Sequence, residues 1–270
     1  MNTTPSGLRH LLEDASALEV FSGKRPWILA LDYDGTLAPF RPERDHAHPY
    51  AGMRDVLNRL PTSGPSRFVL VSGRDAVDLS RLLNIQPAPE IWGCHGAQRL
   101  TPGSTETVTP LSPAQSAAMG HAQALVDDAS LVEMKPCGVA LHWRGLAQEQ
   151  RERIEADIEP KLRKLADDSG LELHAFDGGL ELRLPGVNKG AAINTLLREH
   201  PDALIFYLGD DHTDEDAFLA LKNHGIGILV RQQPRPTHAL YWIKPPQELL
   251  TVLGRFTSLN PQKRSIRRGS

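Results

Sequence analysis

The sequence of 270 residues is short of cysteine, of charge of one sign and of long apolar runs. Its two cysteines, Cys94 and Cys137, form neither a disulfide framework nor a zinc-binding pattern, which fits a reducing compartment. The net charge of −3 gives neither the basic surface of a nucleic-acid-binding protein nor an acidic disordered composition. No apolar run approaches the ~20 residues of a membrane span, and the opening stretch MNTTPSGLRHLLEDAS lacks the apolar core of a signal peptide. These absences predict a cytoplasmic protein that binds neither nucleic acid nor membranes.

Two nucleotide-binding fingerprints are absent as well. The sequence contains no dinucleotide-type glycine motif and no GxxxxGK[ST] phosphate loop. NAD and ATP are therefore not indicated as cofactors.

What the sequence does contain is an alternation of apolar strand segments with amphipathic helix segments. The predicted strands are 27–32, 67–74 (strand, then turn), 89–100, 203–211 and 225–230, and the predicted helices are 9–20, 53–60, 75–85, 188–200 and 213–224. Such an alternation is typical of a parallel sheet covered by helices.

The middle of the chain has a different pattern. Helices are predicted over 113–129 and 147–170, and 171–184 reads as a β-hairpin around Asp177-Gly178-Gly179. VALHWR at 139–144 alternates like a half-buried strand, with apolar side chains on one face and His142 and Arg144 on the other. The pattern predicts a small α+β unit inserted into the α/β core.

The predicted domain organisation follows from these two patterns. It consists of an N-terminal extension with a helix (1–24), a discontinuous Rossmann-like α/β core (25–103 and 185–258), an inserted α+β cap (104–184) and a basic, polar, disordered tail (259–270).

Polar side chains gather where the predicted core strands end. Because ligands of open parallel sheets bind beyond the carboxyl ends of the strands, we expect these side chains to share one site. They are Asp32, Asp34, Ser72, Gly73, Arg74, Lys189, Asp210, Asp211 and Asp214.

Carboxylates at this density predict a magnesium site, since Mg²⁺ prefers oxygen ligands and substrate phosphate. Asp32 can then attack phosphorus to form an aspartyl-phosphate. Asp34 can protonate the leaving alkoxide and deprotonate the attacking water. Lys189 and the Ser72 hydroxyl would hold the phosphoryl oxygens.

Several roles stay open at this stage. Asp211 and Asp214 are each compatible with a metal ligand, a supporting contact or a helix cap, and Arg74 with substrate binding or a pair with a core acid. His95, in a glycine-rich turn, is compatible with a structural role. A phospho-accepting signalling domain uses similar groups, but it is much shorter and needs no second acid/base. A catalytically inactive regulatory domain would more simply have lost Asp32 or Asp34.

The motifs DYDGTL, VSGR, VNKG and GDDHTDEDAF resemble, in order and spacing, the four motifs of the haloacid-dehalogenase-like (HAD) phosphatases. This resemblance implies a HAD core, with Asp32 as nucleophile and Asp34 as acid/base. It also implies that the backbone carbonyl of Asp34 completes the Mg²⁺ site with Asp32 and Asp210.

Two further segments, EMKPCGVALHWR and GCHGAQ, are similar to those of the trehalose-6-phosphate phosphatases. That family often has Glu where this chain has Gln98. The resemblance implies hydrolysis of trehalose 6-phosphate, a phosphosugar. It further implies substrate-binding roles for Gly73, Arg74, His95, Gly96, Glu133, Lys135, Arg144 and Glu181.

Another sugar phosphate, such as sucrose 6-phosphate, is the alternative substrate, because the core would be identical and only the cap would differ. The sequence does not specify an oligomeric state, and a monomer is compatible with it.

Overall fold

The computed structural model describes residues 7–19, 25–41, 44–104, 106–143, 145–176 and 178–259. The strands are β1 (Arg9–His10), β2 (Trp27–Leu31), β3 (Arg67–Val71), β4 (Glu90–Gly93), β5 (Gln98–Leu100), β6 (Thr107–Val108), β7 (Val132–Lys135), β8 (Gly138–His142), β9 (Glu172–Phe176), β10 (Gly179–Arg183), β11 (Leu204–Gly209), β12 (Gly225–Val230) and β13 (Tyr241–Ile243). The helices are α1 (Ala15–Glu19), α2 (Met53–Leu57), α3 (Ala76–Leu83), α4 (Pro113–Gln123), α5 (Gln148–Ser169), α6 (Lys189–Glu199), α7 (Glu215–Leu221) and α8 (Gln247–Ser258).

The chain divides into two compact units. The first consists of Met1–Thr105 and Asn188–Ser270, and the second, the inserted unit, is Glu106–Val187. Within the described residues, no helix is both long enough and apolar enough to cross a membrane.

The first unit is built on a largely parallel sheet, as the sequence predicts. Its strands lie in the order β1-β13-β12-β11-β2-β3-β4-β5, and every neighbouring pair is parallel except β4 with β5. The central strand β2 pairs with β3 on one side and with β11 on the other. The strand order therefore reverses at β2, where open α/β sheets bind their ligands.

Both faces of this sheet are covered. Successive residues of β2 enter opposite apolar clusters: Leu29 and Leu31 pack with side chains of α2, α3 and α8, whereas Ile28 and Ala30 pack with those of α6 and α7. Every residue of β2 and β3 is buried, which explains why these strands read as continuous apolar runs and not as alternating ones.

The N-terminal prediction was wrong in part. The sequence predicts a helix over 9–20, but Arg9 and His10 form the edge strand β1, which pairs in parallel with β13. The helix α1 begins only at Ala15, where Asp14 accepts hydrogen bonds from the backbone of Ser16 and Ala17. Pairing with a distant strand overrides the helical periodicity of this short segment, and nothing local in the sequence signals that pairing.

The inserted unit contains an antiparallel sheet in the order β7-β8-β10-β9. On one face Val139, Leu141 and Leu182 are buried, and α4 and α5 contact these strands. The register places Glu133 and Glu181 opposite Ala140, on the face that does not carry these apolar side chains. The predicted α+β character of the insertion is confirmed.

Candidate active site

Three parallel strands of the first unit end beside one another. Asp32 follows β2, Ser72 follows β3 and Asp210 follows β11, and all three residues are buried. The backbone N–H of Asp32 donates to the Leu208 carbonyl of the neighbouring strand. The strand ends thus fix the start of each functional loop.

A buried lysine links two of the predicted acids. The Lys189 ammonium lies 2.8 Å from Asp32 Oδ1 and 2.7 Å from Asp214 Oδ1. Lys189 is the first residue of α6, and the Asn188 side chain caps this helix by accepting from the Ala191 N–H. Burial opposes the charge of Lys189, but Asp214 and then Asp32 outweigh burial and raise the pKa of Lys189 above its ordinary value.

Asp214 is held by four donors. Its Oδ1 accepts from Lys189 Nζ and, at 2.5 Å, from the hydroxyl of Tyr207. Its Oδ2 accepts from the backbone N–H groups of Asp210 (2.8 Å) and Asp211 (2.9 Å). These contacts use both carboxylate oxygens, so Asp214 fixes the loop and the lysine together.

Asp32, Asp210 and Asp214 each present an oxygen within 4.8 Å of one another, all buried. Burial, and next the neighbouring carboxylate of Asp214, raise the pKa of Asp210 well above its usual value. Burial likewise raises the pKa of Asp32, although Lys189 acts in the opposite direction. Negative charge here exceeds what one ammonium balances, and a divalent cation would relieve that excess. We call Asp32, Lys189, Asp210 and Asp214 the strand-end cluster.

The loop after β2 closes tightly over this cluster. Gly35 has φ +83°, and a Cβ at that position would lie 2.2 Å from Asp210 Oδ2, so only glycine fits. Thr36 Oγ1 donates to Asp210 Oδ1 at 3.3 Å. The DGT portion of the motif therefore contacts Asp210 directly.

Asp34 lies at the same edge but has a different partner. Arg74 Nε donates to Asp34 Oδ2 at 2.6 Å and Arg74 Nη2 donates to Asp34 Oδ1 at 2.7 Å. A two-pronged contact of this kind fixes both the position and the orientation of a carboxylate. Of the two roles left open for Arg74, the pair with a core acid is the one that the contacts show.

Asp211 is a cap in this structure. Its Oδ1 accepts from the N–H and the hydroxyl of Thr213, both at 2.7 Å. Burial would raise the pKa of Asp211, but Lys189 and then these hydrogen bonds lower it below its ordinary value. Asp211 therefore stabilises the turn that leads to Asp214.

The turn after β4 carries His95 in an uncommon backbone conformation. Cys94 (φ 48°), His95 (φ 57°) and Gly96 (φ 107°) all lie in or near the left-handed region, which costs free energy for the two residues that carry a Cβ. The imidazole is buried against Gly73, where an added Cβ would lie 2.6 Å from His95 Cε1. The backbone N–H of His95 donates to the Ser72 carbonyl, so the predicted residues of both loops pack together.

A second polar group lies on one face of the sheet of the inserted unit. Lys135 Nζ donates to Glu181 Oε1 at 2.5 Å and lies 3.8 Å from Glu133 Oε2. His142 Nε2 lies 2.9 Å from the same Glu133 oxygen. We call Glu133, Lys135, His142 and Glu181 the sheet-face cluster. Arg144, also predicted to bind substrate, lies outside the described residues.

Sequence reasoning missed several contributors to the strand-end cluster. Tyr207 lies within an apolar strand, and its only sequence signal is a hydroxyl that needs a partner when buried. Arg231 Nη1 donates to the Asp210 carbonyl at 3.2 Å, and Arg235 Nη2 donates to the Asp211 carbonyl at 2.5 Å. Neither arginine belongs to a recognisable motif. Arg235 also pairs with the Glu215 side chain.

Comparisons with known proteins place the chain in a family. Residues 30–245 match the family model described as Trehalose-phosphatase. The trehalose-phosphate phosphatase of Mycobacterium marinum is 31% identical over 94% of this chain and 68% of that protein. The C-terminal domain of the C. albicans trehalose-6-phosphate phosphatase shares the fold, with a TM-score of 0.74, 20% identity and coverage of 94% and 99% of the two chains.

A haloacid dehalogenase-like hydrolase from Bacteroides thetaiotaomicron shares the fold more distantly. Its TM-score is 0.60 at 15% identity, over 85% of this chain and 98% of that one. The HAD-like architecture inferred from the four motifs is thereby confirmed. Because the family match spans most of the sequence, the chain belongs to the trehalose-phosphatase family and is a phosphoric monoester hydrolase.

Proposed function

We propose that the protein hydrolyses trehalose 6-phosphate to trehalose and phosphate with Mg²⁺, through an aspartyl-phosphate on Asp32. The observation that carries the proposal is the strand-end cluster, in which a buried Lys189 contacts Asp32 and Asp214 beside Asp210. Family membership supplies the reaction class, and the similarity to trehalose-phosphate phosphatases supplies the substrate.

The residues that would hold Mg²⁺ are Asp32, Asp210 and the backbone carbonyl of Asp34. Their oxygens are the hard ligands that this ion prefers. Asp214 fits the role less well, because four donors already use its two oxygens. Bound there, the ion would neutralise the buried carboxylates and the phosphoryl oxygens.

In the first chemical step, an oxygen of Asp32 bonds to phosphorus while the bond from phosphorus to the sugar oxygen breaks. Asp34 gives its proton to that leaving oxygen, for which the carboxyl group must be released from Arg74. In the second step, Asp34 takes a proton from water as the water oxygen bonds to phosphorus. Phosphate leaves and the Asp32 carboxylate is restored.

The remaining groups hold the phosphoryl oxygens in place. Lys189 supplies a fixed positive charge, and the Ser72 hydroxyl supplies a donor at the neighbouring strand end. Phosphate monoester hydrolysis requires acceleration by up to about 10²¹-fold, whereas one electrostatic donor contributes about 10²- to 10³-fold. A site of several cooperating groups is therefore expected.

We assign recognition of the sugar to the sheet-face cluster, and with it the role of a cap to the inserted unit. A disaccharide presents many hydroxyl groups and no charge apart from its phosphate. Glu133, Lys135 and Glu181 offer donors and acceptors on one face of a sheet. Such a face can exchange its internal pairs for hydrogen bonds to hydroxyl groups.

The test is phosphate release from trehalose 6-phosphate, sucrose 6-phosphate and glucose 6-phosphate, each with Mg²⁺ or with EDTA. Fast, Mg²⁺-dependent release from trehalose 6-phosphate alone is the expected result. Preference for sucrose 6-phosphate would keep the chemistry of Asp32 and overturn the assignment of the sheet-face cluster. Release that EDTA leaves intact would overturn the metal assignment.

A further inference from the structure

The hydroxyl of Tyr207 is buried inside the first unit and has a specific partner. Tyr207 is 0% exposed, and its hydroxyl donates to Asp214 Oδ1 at 2.5 Å. We propose that Tyr207 is a positioning residue for phosphoryl transfer, acting through Asp214 on Lys189. The inference rests on the proposed function in one respect, namely that Lys189 holds the phosphoryl oxygens.

The placement of Tyr207 follows from the register of the sheet. Tyr207 lies on β11 opposite Ala30 of β2, and its side chain belongs to the apolar cluster on the α6 and α7 side. Lys189 begins α6, and Asp214 immediately precedes α7. The tyrosine therefore reaches from the sheet into the layer that carries the lysine.

An apolar side chain would fill this position without the free-energy cost of burying a hydroxyl group. The Tyr207 ring packs edge-on against Phe218, with the ring centroids 5.6 Å apart, as a phenylalanine would. A buried hydroxyl is unfavourable unless it is hydrogen-bonded. What tyrosine adds over phenylalanine at this position is therefore its contact with Asp214.

Because of that contact, one oxygen of Asp214 accepts hydrogen bonds from two donors. Asp214 Oδ1 accepts from both Lys189 Nζ and the Tyr207 hydroxyl. The hydroxyl lowers the effective negative charge that Asp214 presents to the ammonium, so Lys189 stays shared with Asp32. Without the hydroxyl, Lys189 would be drawn toward Asp214 and away from the reacting phosphoryl group.

The hydroxyl remains a donor across the working pH range. Burial, and next the charge of Asp214, raise the pKa of Tyr207 well above its ordinary value. The hydroxyl therefore keeps the proton that it donates to Asp214.

The kinetic test compares Tyr207→Phe with Tyr241→Phe, which removes a hydroxyl that accepts a hydrogen bond from Arg9 of the edge strand β1. With p-nitrophenyl phosphate as probe, we expect kcat of Tyr207→Phe to fall about 10-fold with KM unchanged, the scale of one hydrogen bond to a charged group. Tyr241→Phe should keep its kcat. A lower Tm with unchanged kcat in Tyr207→Phe would overturn the proposal, because it would leave a structural role alone.

A double-mutant cycle identifies the route. Tyr207→Phe and Asp214→Asn are made singly and together, and kcat is measured for each. If Tyr207 acts through Asp214, Tyr207→Phe lowers kcat little further in a protein that already carries Asp214→Asn. Fully additive losses would overturn the route through Asp214.

A readout independent of turnover separates this inference from the proposed function. The ¹⁵N NMR signal of the Lys189 ammonium is identified by its loss in Lys189→Met. In Tyr207→Phe, but not in Tyr241→Phe, this signal should shift or the ammonium protons should exchange with water several-fold faster. An unchanged signal in Tyr207→Phe would overturn the inference even in an active enzyme. Inactivity of the wild-type protein on every ester would instead overturn the proposed function, while the NMR comparison still decides on Tyr207.

Discussion

The strand-end cluster and the sheet-face cluster are held together by different kinds of contact. In the first, backbone N–H groups and a tyrosine hydroxyl fix Asp214. In the second, Glu181 is held by the side chains of Lys135 at 2.5 Å and Arg183 at 3.6 Å. Backbone contacts give one geometry, whereas long side chains can exchange partners, so the first arrangement suits chemistry and the second suits recognition.

The strand-end cluster and the sheet-face cluster also differ in their balance of charge. Lys189 pairs with Asp32 and Asp214, and Asp210 adds a third carboxylate beside them. In the inserted unit, lysine and arginine side chains lie against the two glutamates. Excess negative charge at buried positions favours a metal ion. A balanced group has no such requirement, which supports the sugar recognition proposed for it.

The largest expected effect comes from Asp32→Asn. Removing the attacking oxygen should lower kcat for every phosphate ester by at least about 10³-fold, with the fold retained, since the amide fills the same volume. The measurement is phosphate release alongside circular dichroism. Asp216→Asn, which changes an exposed acid of the GDDHTDEDAF motif, is the control and should retain activity. Residual activity above one tenth in Asp32→Asn would contradict the nucleophile assignment.

Lys189→Met should damage both activity and stability. It leaves Asp32 and Asp214 buried without their cation, which we expect to cost about 3 kcal/mol of unfolding free energy and about 10²-fold in kcat. Saturating Mg²⁺ should restore part of the stability, because ion binding favours the folded state. Urea unfolding with and without Mg²⁺ measures this, with the exposed Lys222→Met as control. If Mg²⁺ raises the unfolding free energy of Lys189→Met and of the wild type equally, Lys189 and the ion do not act on the same carboxylates.

Lys135→Met should separate recognition from chemistry. We expect kcat/KM for trehalose 6-phosphate to fall about 10- to 100-fold, the scale of one lost charged hydrogen bond, and that for p-nitrophenyl phosphate to stay unchanged. Lys161→Met, which removes an exposed lysine of α5 paired with Asp157, is the matched control in the same unit. If kcat/KM falls equally for both substrates, the sheet-face cluster does not act in recognition. The contrast with the strand-end cluster then fails.

The smallest effect is expected for a charged pair that belongs to neither cluster. Hydrogen bonds from Arg99 lower the pKa of Glu199 below its ordinary value of 4.5. Its stabilisation is therefore present above the unfolded pKa and is lost as the pH falls through the folded pKa. Because Glu199 is largely exposed, Glu199→Gln should cost less than about 1 kcal/mol at pH 7 and leave kcat unchanged. The unfolding free energies of the wild type and of Glu199→Gln should differ at pH 7 and converge as the pH falls through the folded pKa of Glu199. A difference that stays constant with pH would contradict the pair.

Motif residues were predictable from the sequence because the chemistry restricts their type and spacing. Asp32 and Asp210 come together since parallel strands end at one edge, and Lys189 reaches them from the start of α6. Tyr207 and Arg231 were not predictable, because a strand tyrosine and a loop arginine look ordinary until their partners are known.

The same distinction holds for the fold. Core strands such as β2 are continuous apolar runs and were predicted closely. The two-residue strand β1 was not, because its pairing partner β13 lies more than two hundred residues away. Local pattern reveals an element only when its own residues, and not a distant neighbour, decide its conformation.

The inserted unit also has a consequence for synthesis in the cell. Ile28 of β2 pairs with Ile205 of β11, although the whole of Glu106–Val187 lies between them in the chain. Ribosomes add about 5–20 residues per second, so on the order of ten seconds separate the emergence of Asp32 from that of Lys189. During that interval one edge of β2 has no partner in the sheet, and an unpaired strand edge in a nascent chain is prone to aggregation.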